Sequence, residues 1–186
     1  SQQDLLTRID RHARASLAMA QGFVQLASAQ AHEYQSAPFD LAAALVETVD
    51  DAWASAKNHH VQVRITNSPD IAPIQGDRAL ICRAIMNTVG NAIKFSPPGS
   101  TVQCALTSEA PYWVISVRDQ GPGIAPEQQC NLFQPFTRLH AGSHPGIAGV
   151  GLGLALVQTV VQRHGGQVQV NSSAGAGAEF RLLLPQ

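Results

Sequence analysis

Strand follows strand at both ends of the chain's second half. "TVQCALT" (101–107) and "YWVISVRD" (112–119) have the alternation of strands and are separated by a short turn at Glu109–Pro111. "GGQVQVNS" and "AEFRLLL" repeat the arrangement around the Gly175–Gly177 turn. Helical patterns lie between these strand pairs. A doubly wound parallel sheet needs strand and helix to alternate throughout. This order argues instead for a mixed sheet with helices on one face.

The remaining signals fit that frame. Residues 4 to about 33 form one long helical pattern in which Leu6, Ile9, Ala13, Ser16, Ala20, Phe23 and Ala27 step by three and four. That stripe is too thin to stand alone and wants partner helices. Pro38 breaks the pattern, and a second amphipathic helix is expected from about Leu41 to Lys57. "VQVRIT" (61–66) has strand periodicity and leads into the turn-rich "NSPDIAP". A helix capped by Asp77 runs to Phe95 and stops at "SPPGS". Residues 120 to about 150 hold glycines and prolines, with a short helical possibility near 126–133. A segment so long and irregular is usually functional or mobile. A further helix is expected from Gly151 to His164.

Composition narrows the function. Only 13% of the 186 residues are charged and the net charge is −1, so there is no basic footprint for nucleic acid. No apolar run reaches the ~20 residues that span a bilayer. Cys82, Cys104 and Cys130 lack metal-like spacing and read as reduced thiols of a cytoplasmic protein.

Three motifs carry chemistry. In "NTVGNAIKFS", Asn87, Asn91 and Lys94 fall on one helical stripe beside the apolar face of Ile81, Ile85, Thr88 and Ala92. Asparagine is a poor helix former, but its carboxamide oxygen suits Mg²⁺ and a lysine suits phosphate. A solvated polar edge is the plain alternative. "DQGPGI" (119–124) places one carboxylate and two glycines at a strand end; alone it is also a plausible tight turn. "GVGLGLALV" (149–157) runs glycine-rich into a helix and exposes N–H groups suited to an anion. It is not a Walker A motif. It also fails as a dinucleotide fingerprint, because Leu154 stands at the third glycine and no strand precedes it.

Taken in order, "NTVGNAIKFS", "DQGPGI", "LFQPFTR" and "GVGLGL" resemble the N, G1, F and G2 boxes of the sensor histidine kinase ATP-binding domain, of the superfamily shared with chaperone and type II topoisomerase ATPases. The resemblance covers roughly residues 39–186. It implies an α+β two-layer sandwich: a mixed, largely antiparallel sheet of about five strands, with about three helices on one face, preceded by the long N-terminal helix. It implies ATP and Mg²⁺. Asp119 would accept from the adenine amino group, Gly121 and Gly123 would let the backbone approach the base, and Ile124 would adjoin it. Asn91, with Asn87, would hold Mg²⁺, Lys94 would touch the phosphates and Phe95 would pack on adenine. Gly149, Val150, Gly151, Leu152 and Gly153 would form the phosphate-facing hinge. Residues 124–150 would be the lid, and Phe133, Phe136 and Arg138 its F box, with Arg138 a candidate phosphate contact. Residues 1–36 look like the second helix of a dimerisation and phosphotransfer hairpin.

The resemblance further implies a homodimer in the full-length protein, a response regulator as partner and the cytoplasmic side of a possibly membrane-anchored sensor. None of His12, His32, His59, His60, His140, His144 and His164 sits in the phosphoacceptor pattern, so the acceptor is expected on a helix outside this chain. Arg78 and His140 stand where the family often has a proline and an acid. Two alternatives share the boxes. An ATPase switch would carry a glutamate base where Asn87 stands, and a carboxamide cannot take a proton from water. An anti-sigma-type serine kinase would not carry the preceding helix.

Overall fold

The computed structural model describes residues 2–31, 33–137 and 151–186. Five strands form one sheet in the order β2 (Gln62–Asn67), β4 (Thr101–Glu109), β5 (Tyr112–Arg118), β7 (Ala178–Pro185), β6 (Gln167–Ser172). β2 runs parallel to β4, and every other pairing is antiparallel. The expected mixed, largely antiparallel sheet is therefore present.

The register shows which face carries the main core. Leu106, Ile115 and Leu182 lie side by side across β4, β5 and β7, and Cys104, Val117 and Phe180 form the next row. All six are buried. Strand side chains alternate faces, so Ala105, Ser116 and Arg181 make a row on the other side. There Arg181 bonds both carboxylate oxygens of Glu109 at 2.6 Å. Burial pushes the Cys104 thiol up to about 12, which keeps it protonated and inert.

Helices cover the apolar face. α2 (Leu41–Asp51) contributes Leu41, Leu45 and Val49; α4 (Arg78–Phe95) contributes Ile81, Ile85, Val89 and Ile93; α6 (Gly153–Arg163) contributes Leu156, Val157, Val160 and Val161. Each fully buried leucine or isoleucine is worth roughly 1.5–3 kcal/mol against exposure. The three principal helices match the expected number. Asp40 caps α2 through Ala42 N–H at 3.0 Å and also accepts from Ala72 N–H at 2.8 Å. Arg78, at the start of α4, pairs with Glu47 of α2.

Three local expectations need correction. The helix expected over 41–57 is two, α2 and α3 (Trp53–Asn58), because the N–H of Ala52 is shared between Thr48 and Val49 carbonyls and tightens the turn. The segments around Pro38 and "NSPDIAP" contain a two-stranded ribbon, β1 (Ala37–Asp40) against β3 (Pro73–Gly76). Each strand is four residues long and carries a proline, too little for periodicity to register. The helix near 126–133 shrinks to α5 (Pro126–Gln129).

The N-terminal helix α1 (Gln2–Ala31) behaves differently from the rest. Leu6, Ile9, Leu17, Phe23 and Val24 are all exposed, and Leu26 is buried. α1 seats against α6 where Gly22 meets Leu152; a Cβ on Gly22 would stand 3.1 Å from the Leu152 side chain.

Candidate nucleotide site

α4 and α6 build the site between them. They pack antiparallel: the cap of α4, Asp77, meets His164 at the end of α6, while Asn87 meets Gly153 at the beginning of α6. Asn87 Nδ2 donates to the Arg83 carbonyl at 2.9 Å. That bond fixes the carboxamide so that its oxygen is what a Cβ on Gly153 would encounter, at 3.1 Å, with Asn91 Nδ2 next at 3.5 Å. Any residue larger than glycine would fill this space. Leu152 precedes α6 as its N-cap without a side-chain hydrogen bond. Among the described residues no side chain caps the first N–H groups of α6, the arrangement that favours an anion. Lys94 lies one turn beyond Asn91, its ammonium 5.2 Å from the Phe95 ring centroid.

Asp119 follows the end of β5. It is buried, and its Oδ1 accepts from the N–H groups of Gly121 at 2.8 Å and Ala178 at 3.1 Å. Both bonds use one oxygen, which leaves Oδ2 for a further partner. Burial raises the Asp119 pKa above the ordinary carboxylate value, and the two backbone bonds oppose that rise. The glycines beside it have reasons within the protein. A Cβ on Gly121 would lie 2.7 Å from the Phe95 carbonyl oxygen. Gly123 has φ +70°, and a Cβ there would fall 1.9 Å from the Ser173 carbonyl oxygen. The loop is thereby pressed between the end of α4 and the β6–β7 turn, and Asp119 is held at the junction.

Ile124 is buried with Leu132, Ala178 and Phe180 in a small second core, against which Phe133 and Leu154 pack. Phe136 is exposed, with φ +66°, and its N–H donates to the Gly151 carbonyl at 2.9 Å. Gly151 itself has φ +74°, and a Cβ on it would lie 2.4 Å from the Thr137 carbonyl oxygen. The two chain segments flanking 138–150 therefore meet. Arg138, Gly149 and Val150 lie outside the described residues, as do His140 and His144.

Two contributors were not anticipated. Ser172 accepts from Ile124 N–H at 2.8 Å and donates to the Gly177 carbonyl at 2.6 Å. Gln129 donates to the carbonyls of Ile124 and Ser172, each at 3.0 Å. Both tie the loop after Asp119 to a strand some 45 residues away, a relation no local pattern encodes. A separate polar cleft of about 460 Å³ reaches Asp119 from the helix-free side of the sheet. It is lined by Thr101, Gln103, Arg118, Gln120 and Gly175–Gly177 and does not include Asn87, Asn91 or Lys94.

Residues 76–186 match the family model described as histidine kinase-, DNA gyrase B-, and HSP90-like ATPase. The chain belongs to this ATPase family. Among curated relatives, the sensor-like histidine kinase SenX3 of Mycobacterium bovis is 37% identical over 139 residues, covering 75% of this chain and 34% of its own length. The sensor protein CutS of Streptomyces coelicolor is 32% identical over 168 residues, covering 90% of this chain and 40% of its own. The chain thus spans a third to two fifths of the length of these relatives. Among solved structures, full-length ShkA in complex with AMPPNP superposes over 100% of this chain and 40% of its own, with TM-score 0.77 and 25% identity. The mycobacterial sensor histidine kinase MprB covers 81% and 97%, with TM-score 0.70 and 28% identity. The two-layer architecture is that of the histidine kinase ATPase domain, and ATP is the ligand of this family.

The donor set suits a magnesium–nucleotide complex better than an all-protein metal site. Among the described residues no group of three His, Cys, Asp or Glu side chains is placed to hold a metal. The Asn87 oxygen faces the start of α6, where a polyphosphate would supply the remaining ligands, as Mg²⁺ commonly requires. No helix among the described residues is long and apolar enough to cross a membrane.

Proposed function

We propose that this chain is the ATP-binding catalytic part of a two-component sensor histidine kinase, passing the γ-phosphoryl group of ATP to a histidine on a helix outside the chain. The observation that carries the reading is the meeting of Asn87 with Gly153 at the open N-terminus of α6, with buried Asp119 at the neighbouring junction.

In this reading Asp119 Oδ2 accepts from the adenine amino group, which GTP lacks at that position. Phe95 lies against the base. The α6 N–H groups and Lys94 hold the phosphates, with Gly153 leaving room for them and Gly151 part of the phosphate-facing hinge. Asn91 and Asn87 would hold Mg²⁺, which would supply charge neutralisation on the phosphates. These groups orient the γ-phosphoryl group and offset its charge, and positioning supplies most of the catalysis in such transfers. Arg138 is a further phosphate contact of the same proposal. The nucleophile is an imidazole nitrogen. His164 is not suited to that role, since both its ring nitrogens are engaged within the fold.

Residues 1–36 are then the second helix of the dimerisation hairpin and 39–186 the catalytic domain. The uncovered row of Leu6, Ile9, Leu17 and Phe23 supports a homodimer in the longer protein. A response regulator takes the phosphoryl group onward, on the cytoplasmic side of the membrane.

Calorimetric titration of Mg-ATP and Mg-GTP tests this. ATP is expected to bind in preference to GTP. Asp119→Asn is expected to weaken ATP by about ten- to a hundredfold, the range for losing a charge-assisted hydrogen bond. Asn91→Ala is expected to remove the Mg²⁺ dependence. Equal binding of both nucleotides, or binding indifferent to both substitutions, overturns the assignment.

A further inference from the structure

The nucleotide cleft occupies one end of the α4–α6 pair. The other end holds a polar cluster that the proposed chemistry does not use. His164 Nδ1 donates to the Val160 carbonyl at 2.8 Å, which makes Nε2 the acceptor for the N–H of Asp77 at 2.9 Å. Asp77 is itself buried; Oδ1 accepts from Leu80 N–H and Oδ2 from Gln35 N–H, each at 3.1 Å. Tyr34 packs edge-on to the imidazole with centroids 5.1 Å apart, and the Arg163 guanidinium lies 5.7 Å over Tyr34. Gln75 Nε2 donates to Ser36 Oγ at 3.1 Å, and Ala37 pairs with Gly76. A Cβ on Gly76 would stand 2.7 Å from the His164 ring. The segment joining α1 to the ATPase domain is thus fastened to His164 and Asp77.

We propose that His164, with its ring neutral, is a positioning residue for the nucleotide site and couples that site to the connecting segment that carries α1. The proposal rests on the nucleotide reading above. Its basis is the antiparallel pair: α4 and α6 touch at Asp77–His164 and again at Asn87–Gly153, ten or eleven residues away on each helix, about 15 Å at helical rise. Two helices pinned at one end hold the spacing at the other. The pin includes the bond from the Asp77 N–H to His164 Nε2, between the cap of one helix and the cap of its neighbour, and Tyr34 and Gln35 bear directly on it.

Protonation breaks this pin by geometry alone. A second ring proton makes Nε2 a donor that faces the Asp77 N–H, another donor. The groups facing the ring are the Asp77 carboxylate from α4, which favours the charged ring, the Arg163 guanidinium from α6, which opposes it, and the neutral Tyr34 ring from the connecting segment; β3 presents Gly76. Burial is the largest influence and holds the His164 pKa below the ordinary histidine value. Coupling is reciprocal. If the neutral ring sets the spacing of the cleft, bound nucleotide must lower the ring's affinity for a proton.

The test is a histidine-ring NMR titration of the whole 186-residue chain, with and without saturating Mg-ATP. The His164 signal is identified by its loss in His164→Gln, whose Oε1 can accept the same N–H and cannot be protonated. Saturating Mg-ATP is expected to reduce the proton affinity of His164 by about three- to tenfold. Tyr34→Ala is expected to raise it. Acidification is expected to weaken Mg-ATP by the same factor in the wild type beyond the change in His164→Gln, which removes the titration of ATP itself from the comparison. At pH 8, where the wild-type ring is neutral, the affinity of His164→Gln is the reference from which its pH profile is measured. A His164 titration unmoved by Mg-ATP, or identical pH profiles for the two proteins, overturns the coupling while leaving the nucleotide site standing. Failure of the wild type to bind Mg-ATP at pH 8 overturns the nucleotide reading and the coupling with it.

Discussion

At the Asp77–His164 end of the α4–α6 pair, caps, carboxylate and imidazole are joined by hydrogen bonds of 2.8–3.1 Å within the protein. At the Asn87–Gly153 end, the same two helices leave α6 without a side-chain cap, a carboxamide oxygen aimed at the gap and a glycine where any Cβ would intrude. One end spends its polar groups on the fold, and on the proposed function the other keeps them for the nucleotide. An uncapped helix start costs about a kilocalorie per mole. The difference teaches where to separate stability from binding: substitutions at the closed end should move the first, and substitutions at the open end the second.

The largest effect comes from two glycines in the nucleotide region that obey opposite rules. Gly123→Ala meets both a positive φ and a backbone oxygen at 1.9 Å that cannot yield. It should cost about 3 kcal/mol or more, lowering Tm by roughly 6–12 °C in a chain of this size. Gly153→Ala has no such φ, and its nearest atom belongs to a side chain. Its stability should change by less than about 1 kcal/mol, since alanine is the better helix former. Mg-ATP should nevertheless bind about tenfold more weakly, as a methyl group enters the space beside Asn87, an effect of about 1.4 kcal/mol. Thermal melts and calorimetry on both variants measure the split. A Gly153→Ala protein that binds ATP normally would remove Gly153 from the site.

Asp77→Ala tests the closed end and ranks next. It removes a helix cap and the acceptor for Gln35 N–H, together worth about 2 kcal/mol. Urea denaturation should show that loss in the midpoint with an unchanged slope.

The two ends were unequally legible in the sequence, for a physical reason. The open end is written locally: Asn87, Asn91 and Lys94 share a stripe, and the Gly151–Gly153 run opens a helix, so spacing sets a ligand site beside the plain alternative of a solvated polar edge, and the order of the motifs favours the ligand. The closed end joins Tyr34 and Gln35 to Asp77 and His164, residues 42 or more positions apart, and each of them looks ordinary where it stands. Asp77 was readable as a cap but not as the anchor of the connecting segment. The sheet was readable because strand followed strand, whereas β1 and β3 were lost to their prolines and four-residue length. Gly121 and Gly123 are expected from the sequence to make room for a base. The atoms they lie closest to are carbonyl oxygens of the chain itself, from Phe95 and Ser173, which only the assembled fold brings near.

Acid should distinguish the ends by sign. His164 titrates below its ordinary value of about 6.5 in the fold. The unfolded chain therefore binds the proton first, and the stability His164 confers, complete above about pH 6.5, is lost as pH falls from there toward its folded pKa. Asp119 titrates above its ordinary value of 3.8. There the folded chain binds the proton first, so acidification through the folded pKa toward 3.8 favours folding. Urea midpoints against pH should show a decline in the wild type below about pH 6.5 that is reduced in His164→Gln. Asp119→Asn should remove the contribution of opposite sign at lower pH. A decline unchanged in His164→Gln would assign the acid sensitivity elsewhere.

The smallest effect on folding is expected from α1, whose apolar row faces solvent instead of the core. Phe23 and Leu6 are 59% and 61% exposed, so removing them takes little apolar surface out of the folded monomer's interior. Phe23→Ser and Leu6→Ser should each change the unfolding free energy by less than about 0.5 kcal/mol when measured on dilute protein. By contrast Ile85, on α4, is fully buried, and Ile85→Ala should cost about 2–5 kcal/mol. Both rows are amphipathic by spacing; among the described residues only one has found its partner. If the α1 row serves a second copy, Phe23→Ser should weaken self-association of the longer protein, read by sedimentation, while the melting curve of this chain stays in place. A large loss of stability in the dilute monomer would show instead that α1 packs its row against its own ATPase domain.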